Sequence, residues 1–153
     1  GPRRGEGDPR FGELMGVLGP RRGEGAGILQ LDARGVANLV WALGRLEHHP
    51  GHITMDFLAG RARSIREVFS PVDLAQLYWG FQQLGYAPQP PLLRDLERQV
   101  AARADDFKAG ELHSVLHAYA KLGLRMGGDC LWRVQEAATY LAASEALSVR
   151  ELA

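Results

Sequence analysis

A single cysteine, Cys130, in 153 residues leaves no second thiol to pair with. An intramolecular disulfide and a cysteine-based zinc site are therefore excluded, and with them the small secreted scaffolds that depend on cross-links. An excess of either charge is also missing, because 18 Lys+Arg balance 18 Asp+Glu for a formal net charge of +0. Such a chain exerts no long-range pull on a polyanion, so a nucleic-acid partner would have to be held by a local basic face. No stretch approaches the roughly 18 consecutive apolar residues of a membrane-spanning helix, and no membrane partner is expected. Lysine is nearly absent, with only Lys108 and Lys121. The resulting arginine bias is produced by a GC-rich genome as readily as by a need for guanidinium forks. Signatures of catalysis are lacking too: there is no Gly-x-x-x-x-Gly-Lys phosphate loop and no nucleophile elbow, and the glycine-rich start follows no strand. Neither an enzymatic activity nor a cofactor is expected.

What is present is 46% hydrophobic and 24% charged residues, the profile of one soluble globular unit. A first residue that is glycine rather than methionine suggests a processed or excerpted piece of something longer. Helix and strand breakers concentrate in residues 1–30, where Gly1-Pro2-Arg3-Arg4-Gly5-Glu6-Gly7 returns as Gly19-Pro20-Arg21-Arg22-Gly23-Glu24-Gly25. Between the two copies lies a short apolar run, Phe11, Leu14, Met15 and Leu18. The composition predicts an extended Gly/Arg-rich arm with at most one short helix.

From residue 31 onward the sequence repeats. Ala37-Asn38-Leu39-Val40-Trp41-Ala42-Leu43-Gly44-Arg45-Leu46 aligns with Ala75-Gln76-Leu77-Tyr78-Trp79-Gly80-Phe81-Gln82-Gln83-Leu84 and with His113-Ser114-Val115-Leu116-His117-Ala118-Tyr119-Ala120-Lys121-Leu122, each block starting 38 positions after the last. Leu31, Phe69 and Phe107 precede the blocks at the same interval. The units cover about residues 31–68, 69–106 and 107–146, and the start of a fourth is read at Leu147, with Ser148 and Glu151 as a capping box.

Within a unit, Leu74, Leu77, Tyr78, Phe81 and Leu84 fall on one face of a 3.6-residue period, which predicts a first helix, helix A. Ser70 is placed to cap it, Pro71 suits its first position, and Asp73 suits its positive end. Gly85 and Gly123 are suited to the left-handed conformation that closes a helix. A second helix, helix B, is predicted from Met55, Leu58, Ala62 and Ile65, from Leu93, Leu96 and Val100, and from Leu131, Val134, Ala138 and Leu141. Two such helices cannot bury their apolar faces alone, whereas stacked pairs make a continuous core. The expected fold is all-α, an α-solenoid of two-helix repeats with helix A starting near residues 32, 71, 109 and 149. Alternating apolar and polar residues are missing and β-branched residues are few, so no strand is expected.

Phe69-Ser70-Pro71-Val72-Asp73-Leu74-Ala75-Gln76-Leu77-Tyr78-Trp79-Gly80, the Lys121-Leu122-Gly123 ending and the proline cluster Pro88-Gln89-Pro90-Pro91 resemble the octotricopeptide repeat, a 38-residue helical hairpin. The resemblance extends over about residues 31–153. His117 stands where the pattern has its central Trp, Gly35 where it has an acidic residue, and Glu47 where it has its closing glycine. The resemblance implies an RNA-binding protein of a mitochondrion or chloroplast. Such a protein would either be built into an organellar ribosome beside other ribosomal proteins, or stabilise, process or help translate particular transcripts. The repeat pattern on its own equally allows a protein-binding solenoid of the tetratricopeptide type.

Helix A carries a polar stripe opposite its apolar face: Asn38, Gln76 and Ser114 in one column, and Arg45, Gln83 and Lys121 seven residues on. Amides and hydroxyls suit base edges and cations suit phosphate, which makes these six the candidate RNA contacts; an ordinary solvated face would look the same. Ala42, Gly80 and Ala118 lie between the columns, small enough to let a base or a backbone come close. Arg3, Arg4, Arg21 and Arg22 of the arm are further candidates for phosphate contacts. Trp41 and Trp79 suit either base stacking or packing between repeats. His113 and His117 are spaced to share a helix face, but they occupy columns held by Ala and Trp in the other units, so they read as substitutions in a packing pattern. Arg61, Arg63 and Arg66, with Arg94, Arg98 and Arg103, give helix B a basic content of its own, with Asp95, Glu97, Asp105 and Asp106 close enough to neutralise it.

Overall fold

The structure, a computed structural model, describes residues 26–65 and 69–152, and its regular elements among those residues are all helical. They are α1 (Ala26–Leu29), α2 (Ala33–Arg45), α3 (His52–Ser64), α4 (Pro71–Leu84), α5 (Pro90–Ala102), a 3-10 turn (Ala104–Asp106), α6 (Ala109–Leu122) and α7 (Gly128–Leu152). The first helices of the three units thus begin at Ala33, Pro71 and Ala109, within a residue of the expected starts.

Local chemistry accounts for these boundaries. Asp32 Oδ1 accepts from the Gly35 amide at 2.7 Å and opens α2. At α4, Ser70 Oγ accepts from the Asp73 amide at 3.1 Å while Asp73 Oδ2 accepts from the Ser70 amide at 3.2 Å, so two otherwise orphaned donors are satisfied at once. At α6 the Lys108 amide donates to Glu111 Oε1 at 2.7 Å. The ends of α4 and α6 are turned by Gly85 and Gly123 at φ 64° and 65°. Glu47 occupies the equivalent position after α2 and takes φ 53° without being glycine. The backbone geometry of the repeat is therefore kept where its preferred residue is not.

The first helices, α2, α4 and α6, pack side by side, and the second helices, α3, α5 and α7, make contacts in the same order. Val36, Leu39 and Leu43 of α2, Leu74, Leu77 and Phe81 of α4, and Leu112, Val115 and Tyr119 of α6 all lie in one continuous core cluster. Phe69 and Phe107, which precede α4 and α6, are buried in it as well. Side chains of the second helices tie down these lead-in segments in a repeating way. Arg61 Nε donates to the Leu31 carbonyl at 2.8 Å, and 38 residues later Gln99 Oε1 accepts from the Phe69 amide at 2.7 Å.

The second helices bury Met55, Leu58, Ala62, Leu96, Val100 and Val134 as expected, and differ by one row chiefly in the first turns of α5 and α7. Leu92 and Cys130 are the buried residues where Leu93 and Leu131 were expected, and Leu131 is 39% exposed. Neighbouring apolar side chains on two adjacent rows leave the spacing unable to choose between them; packing against the first helices decides. The fourth start is also absent as a boundary, since α7 continues through Leu147 and Ser148 to Leu152. No glycine or proline falls between Asp129 and Leu152, and the Ala-rich stretch from Ala137 to Ala146 favours helix throughout. At the other end, residues expected to belong to the arm form α1, whose Ile28 is buried in the core. Residues 1–25, with the rest of the arm, lie outside the described residues.

A pair of buried phenols joins two of the first helices: Tyr78 Oη and Tyr119 Oη are 3.0 Å apart. Burial pushes both pKa values well above that of an ordinary phenol. Burial, the hydrogen bond to Asp56 and that carboxylate's charge push Tyr86 up to about 12, and burial with the nearby charge of Glu97 pushes Cys130 to about 12. Each group holds its proton more tightly folded than unfolded, so its contribution is complete below the unfolded pKa and is lost as pH rises through the interval above it. The urea midpoint is expected to be flat to about pH 9 and to fall between about pH 9 and 12. A Tyr78→Phe, Tyr119→Phe double variant, followed by circular dichroism, should show a shallower fall.

Candidate nucleic-acid interface

The face of the first helices that points away from the second helices carries a shallow groove of about 290 Å³. Trp41 of α2, Val72, Ala75, Gln76 and Trp79 of α4, and Glu111 and Ser114 of α6 line it. The repeat spacing makes this groove: equal positions on successive helices face the same way, so side chains 38 residues apart become neighbours. Two of the six stripe residues, Gln76 and Ser114, are brought together in it. Asn38 is exposed on α2 outside the lining, and Arg45, Gln83 and Lys121 are exposed along the adjoining row.

The groove has a mixed character. The rings of Trp41 and Trp79 lie 6.2 Å apart with their planes inclined by 40°, and the Arg45 guanidinium sits 5.9 Å from the Trp41 ring centroid. That distance suits a cation–π contact and leaves the guanidinium at the rim. Gln76 Oε1 is enclosed and has no hydrogen-bond partner, so an acceptor is left for a donor brought by something else. The Ser114 hydroxyl donates back to the Gly110 carbonyl at 3.1 Å and keeps its lone pairs. Next to the groove, Arg34 Nε lies 3.1 Å from Oδ1 of the buried Asp73, an ion pair between α2 and α4.

The column of small residues serves a backbone. A Cβ added at Gly80 would come 2.6 Å from the Val40 carbonyl oxygen and 2.7 Å from Val40 Cγ1. One added at Gly44 would meet the Gly80 Cα at 3.1 Å and the Trp79 ring at 3.2 Å. Helices α2 and α4 therefore cross where glycine faces glycine, with Trp79 laid over Gly44. Ala118 is fully buried. Of the two visitors these residues were expected to admit, a base or a backbone, the neighbouring helix is the one that arrives. Trp79 is likewise used in packing, while Trp41 keeps 39% of its surface exposed.

The arginines of the second helices are largely engaged. Arg63 pairs with Asp95 at 3.6 Å, Arg98 pairs with the same carboxylate, and Arg103 donates to the Phe69 carbonyl at 3.3 Å and pairs with Asp106 at 3.7 Å. Arg133 of α7, which the sequence reading passed over, bridges Asp105 at 3.3 Å and Glu136 at 2.9 Å. Neutralisation within the layer is thus the arrangement found for this basic content. Arg66, Arg3, Arg4, Arg21 and Arg22 lie outside the described residues. His113 and His117 stack on each other with ring centroids 5.4 Å apart and planes 23° apart.

Val72, Ala75 and Glu111 are groove residues that the sequence reading missed as such. The signal was available in the columns at 34/72/110, 37/75/113 and 35/73/111, but whether a column faces a neighbouring helix or the groove is set by the crossing angle. No family model, no characterised protein and no solved structure matches this chain.

Proposed function

We propose that the chain is a short α-solenoid of two-helix repeats that binds RNA along the exposed face of α2, α4 and α6. In this reading it is a built-in component of an organellar ribonucleoprotein, foremost a mitochondrial ribosome, in which it clamps a segment of ribosomal RNA. The observation that carries the reading is the groove shared by three successive first helices, whose lining includes Trp41, Trp79 and Gln76 with its enclosed, partnerless Oε1, and beside which Arg45 sits over the Trp41 ring. An unpaired base needs a flat apolar surface, a hydrogen-bonding edge and a nearby cation for its phosphate, and these are the groups assembled there. The zero net charge fits a protein held among many partners better than one that must find RNA by long-range attraction.

Filter binding at several salt concentrations separates the roles. Replacing Arg45 and Lys121 together with Ala is expected to weaken binding of any RNA and to reduce the salt slope by about 2, roughly one per lost phosphate contact. Replacing Asn38 and Gln76 with Ala is expected to leave the slope alone and alter the preference between sequences. If the RNA is structured, contacts go mainly to phosphate and ribose, and the amide pair does almost nothing. Removing residues 1–25, which leaves α1 and the buried Ile28 in place, should flatten the slope further if Arg3, Arg4, Arg21 and Arg22 meet phosphate. Binding that survives every one of these changes sinks the groove reading and leaves the solenoid as a protein-binding surface.

A further inference from the structure

The polar groups that line the groove across α2, α4 and α6 are acceptors. Glu111 is a carboxylate, Gln76 presents its enclosed and partnerless Oε1, and the Ser114 hydroxyl donates to the Gly110 carbonyl, which leaves it to accept. Glu111 Oε1 takes the Lys108 amide at 2.7 Å. No cation among the described residues pairs with this carboxylate. The repeat shows why. At the junction between α2 and α4 the equivalent carboxylate, Asp73, is met by Arg34 at 3.1 Å. Moving both partners on by one repeat puts Glu111 where Asp73 stands and Val72 where Arg34 stands. Val72 lines the groove and is 44% exposed, so the junction between α4 and α6 keeps the acid and loses its cation.

We propose that this groove selects guanine among unpaired bases and that Glu111 sets the preference, an inference that rests on the RNA reading above. An uncompensated carboxylate repels phosphate, so the backbone of a strand passes elsewhere and whatever enters the groove must bring donors. Guanine carries N1–H and the N2 amine side by side on its Watson–Crick edge. Adenine and cytosine set an amine beside an acceptor, and uracil has its N–H between two carbonyls. Each of these three brings a lone pair against a lining that can only accept. The Trp41 and Trp79 rings, 6.2 Å apart, offer apolar surface to the face of the base. A cationic side chain from another protein also suits a carboxylate. Arg45, however, already holds a guanidinium 5.9 Å from the Trp41 ring centroid, where it repels a second cation and attracts the phosphate of a nucleotide.

Filter binding of the full chain to short uridine oligonucleotides that carry one central guanosine, inosine, adenosine, cytidine or further uridine tests it. The guanosine oligonucleotide is expected to bind roughly tenfold more tightly than the all-uridine one, a ratio within the range for a well-paired base edge. Inosine, which keeps N1–H and lacks the amine, should fall between them. Glu111→Gln keeps an acceptor for the Lys108 amide, so the helix start is retained, and turns the other oxygen into a donor. It should bring guanosine down to the level of the other bases without weakening the all-uridine oligonucleotide. Val72→Arg supplies the cation that this junction lacks, and should tighten binding of every oligonucleotide while erasing the guanosine preference. Equal binding of all five, or a preference that survives both variants, overturns the proposal and leaves the RNA reading standing. Failure of every oligonucleotide to bind at low salt overturns both. Glu111-dependent capture of an arginine-rich peptide, with no discrimination among the oligonucleotides, overturns the proposal as well and names a protein side chain as the occupant.

Discussion

Leu77→Ala is expected to cost roughly 2–5 kcal/mol, the range for a large-to-small change where the site cannot collapse. Leu77 is fully buried in the middle first helix, which packs against α2 on one side and α6 on the other, so the cavity is shared by three units. At roughly 2–4 °C per kcal/mol for a domain of about this size, the melting temperature should fall visibly in a thermal scan. The matched control is Leu116→Ala on α6, where the side chain is 37% exposed on the last first helix, and a change within about 1 kcal/mol is expected. Equal effects at the two positions would show that the first helices do not form the shared core described above.

Gly80→Ala reverses a familiar sign. In a helix interior this exchange normally gains about 1 kcal/mol, because alanine loses less backbone entropy on folding. Here the new methyl group would stand 2.6 Å from a carbonyl oxygen of α2 and 2.8 Å from its carbon, atoms that move only if the whole helix moves. Overpacking of that kind costs about 1–3 kcal/mol, and it outweighs the gain. Gly110→Ala, with open space around the added Cβ, is the control and should be neutral or stabilising. The variant also tests function, because prising α2 from α4 separates Trp41 from Trp79 and opens the groove. A stabilised Gly80→Ala protein would mean that the glycine crossing is not as close as it stands.

Much of this was legible in the residues. A period of 38, capping chemistry at Ser70 and Asp73, and glycine at positions 85 and 123 specify helix ends through local steric and hydrogen-bonding rules, and those ends fall where they were read. Local rules also explain the main boundary that was misplaced. The capping residues at Ser148 and Glu151 are outweighed by a breaker-free alanine-rich stretch, so α7 runs on without a turn. The inward row at the start of α5 was not legible, because Leu92 and Leu93 offer the same hydrophobicity on adjacent rows and only contact with the first helices distinguishes them, whereas Leu96 and Val100 further along are buried as read. The candidate site divides along the same line. Sequence placed Gln76 and Ser114 in one column and Arg45 and Lys121 in another, since columns follow from periodicity alone. Tertiary structure decided what each column meets: Gly80 meets the backbone of α2, Trp79 lies over Gly44, Arg63 and Arg98 meet Asp95, and Gln76 is left with an unanswered acceptor. Those outcomes depend on how closely two helices cross, a distance of a few ångströms set by the packing of side chains from separate units and written in no single stretch of chain.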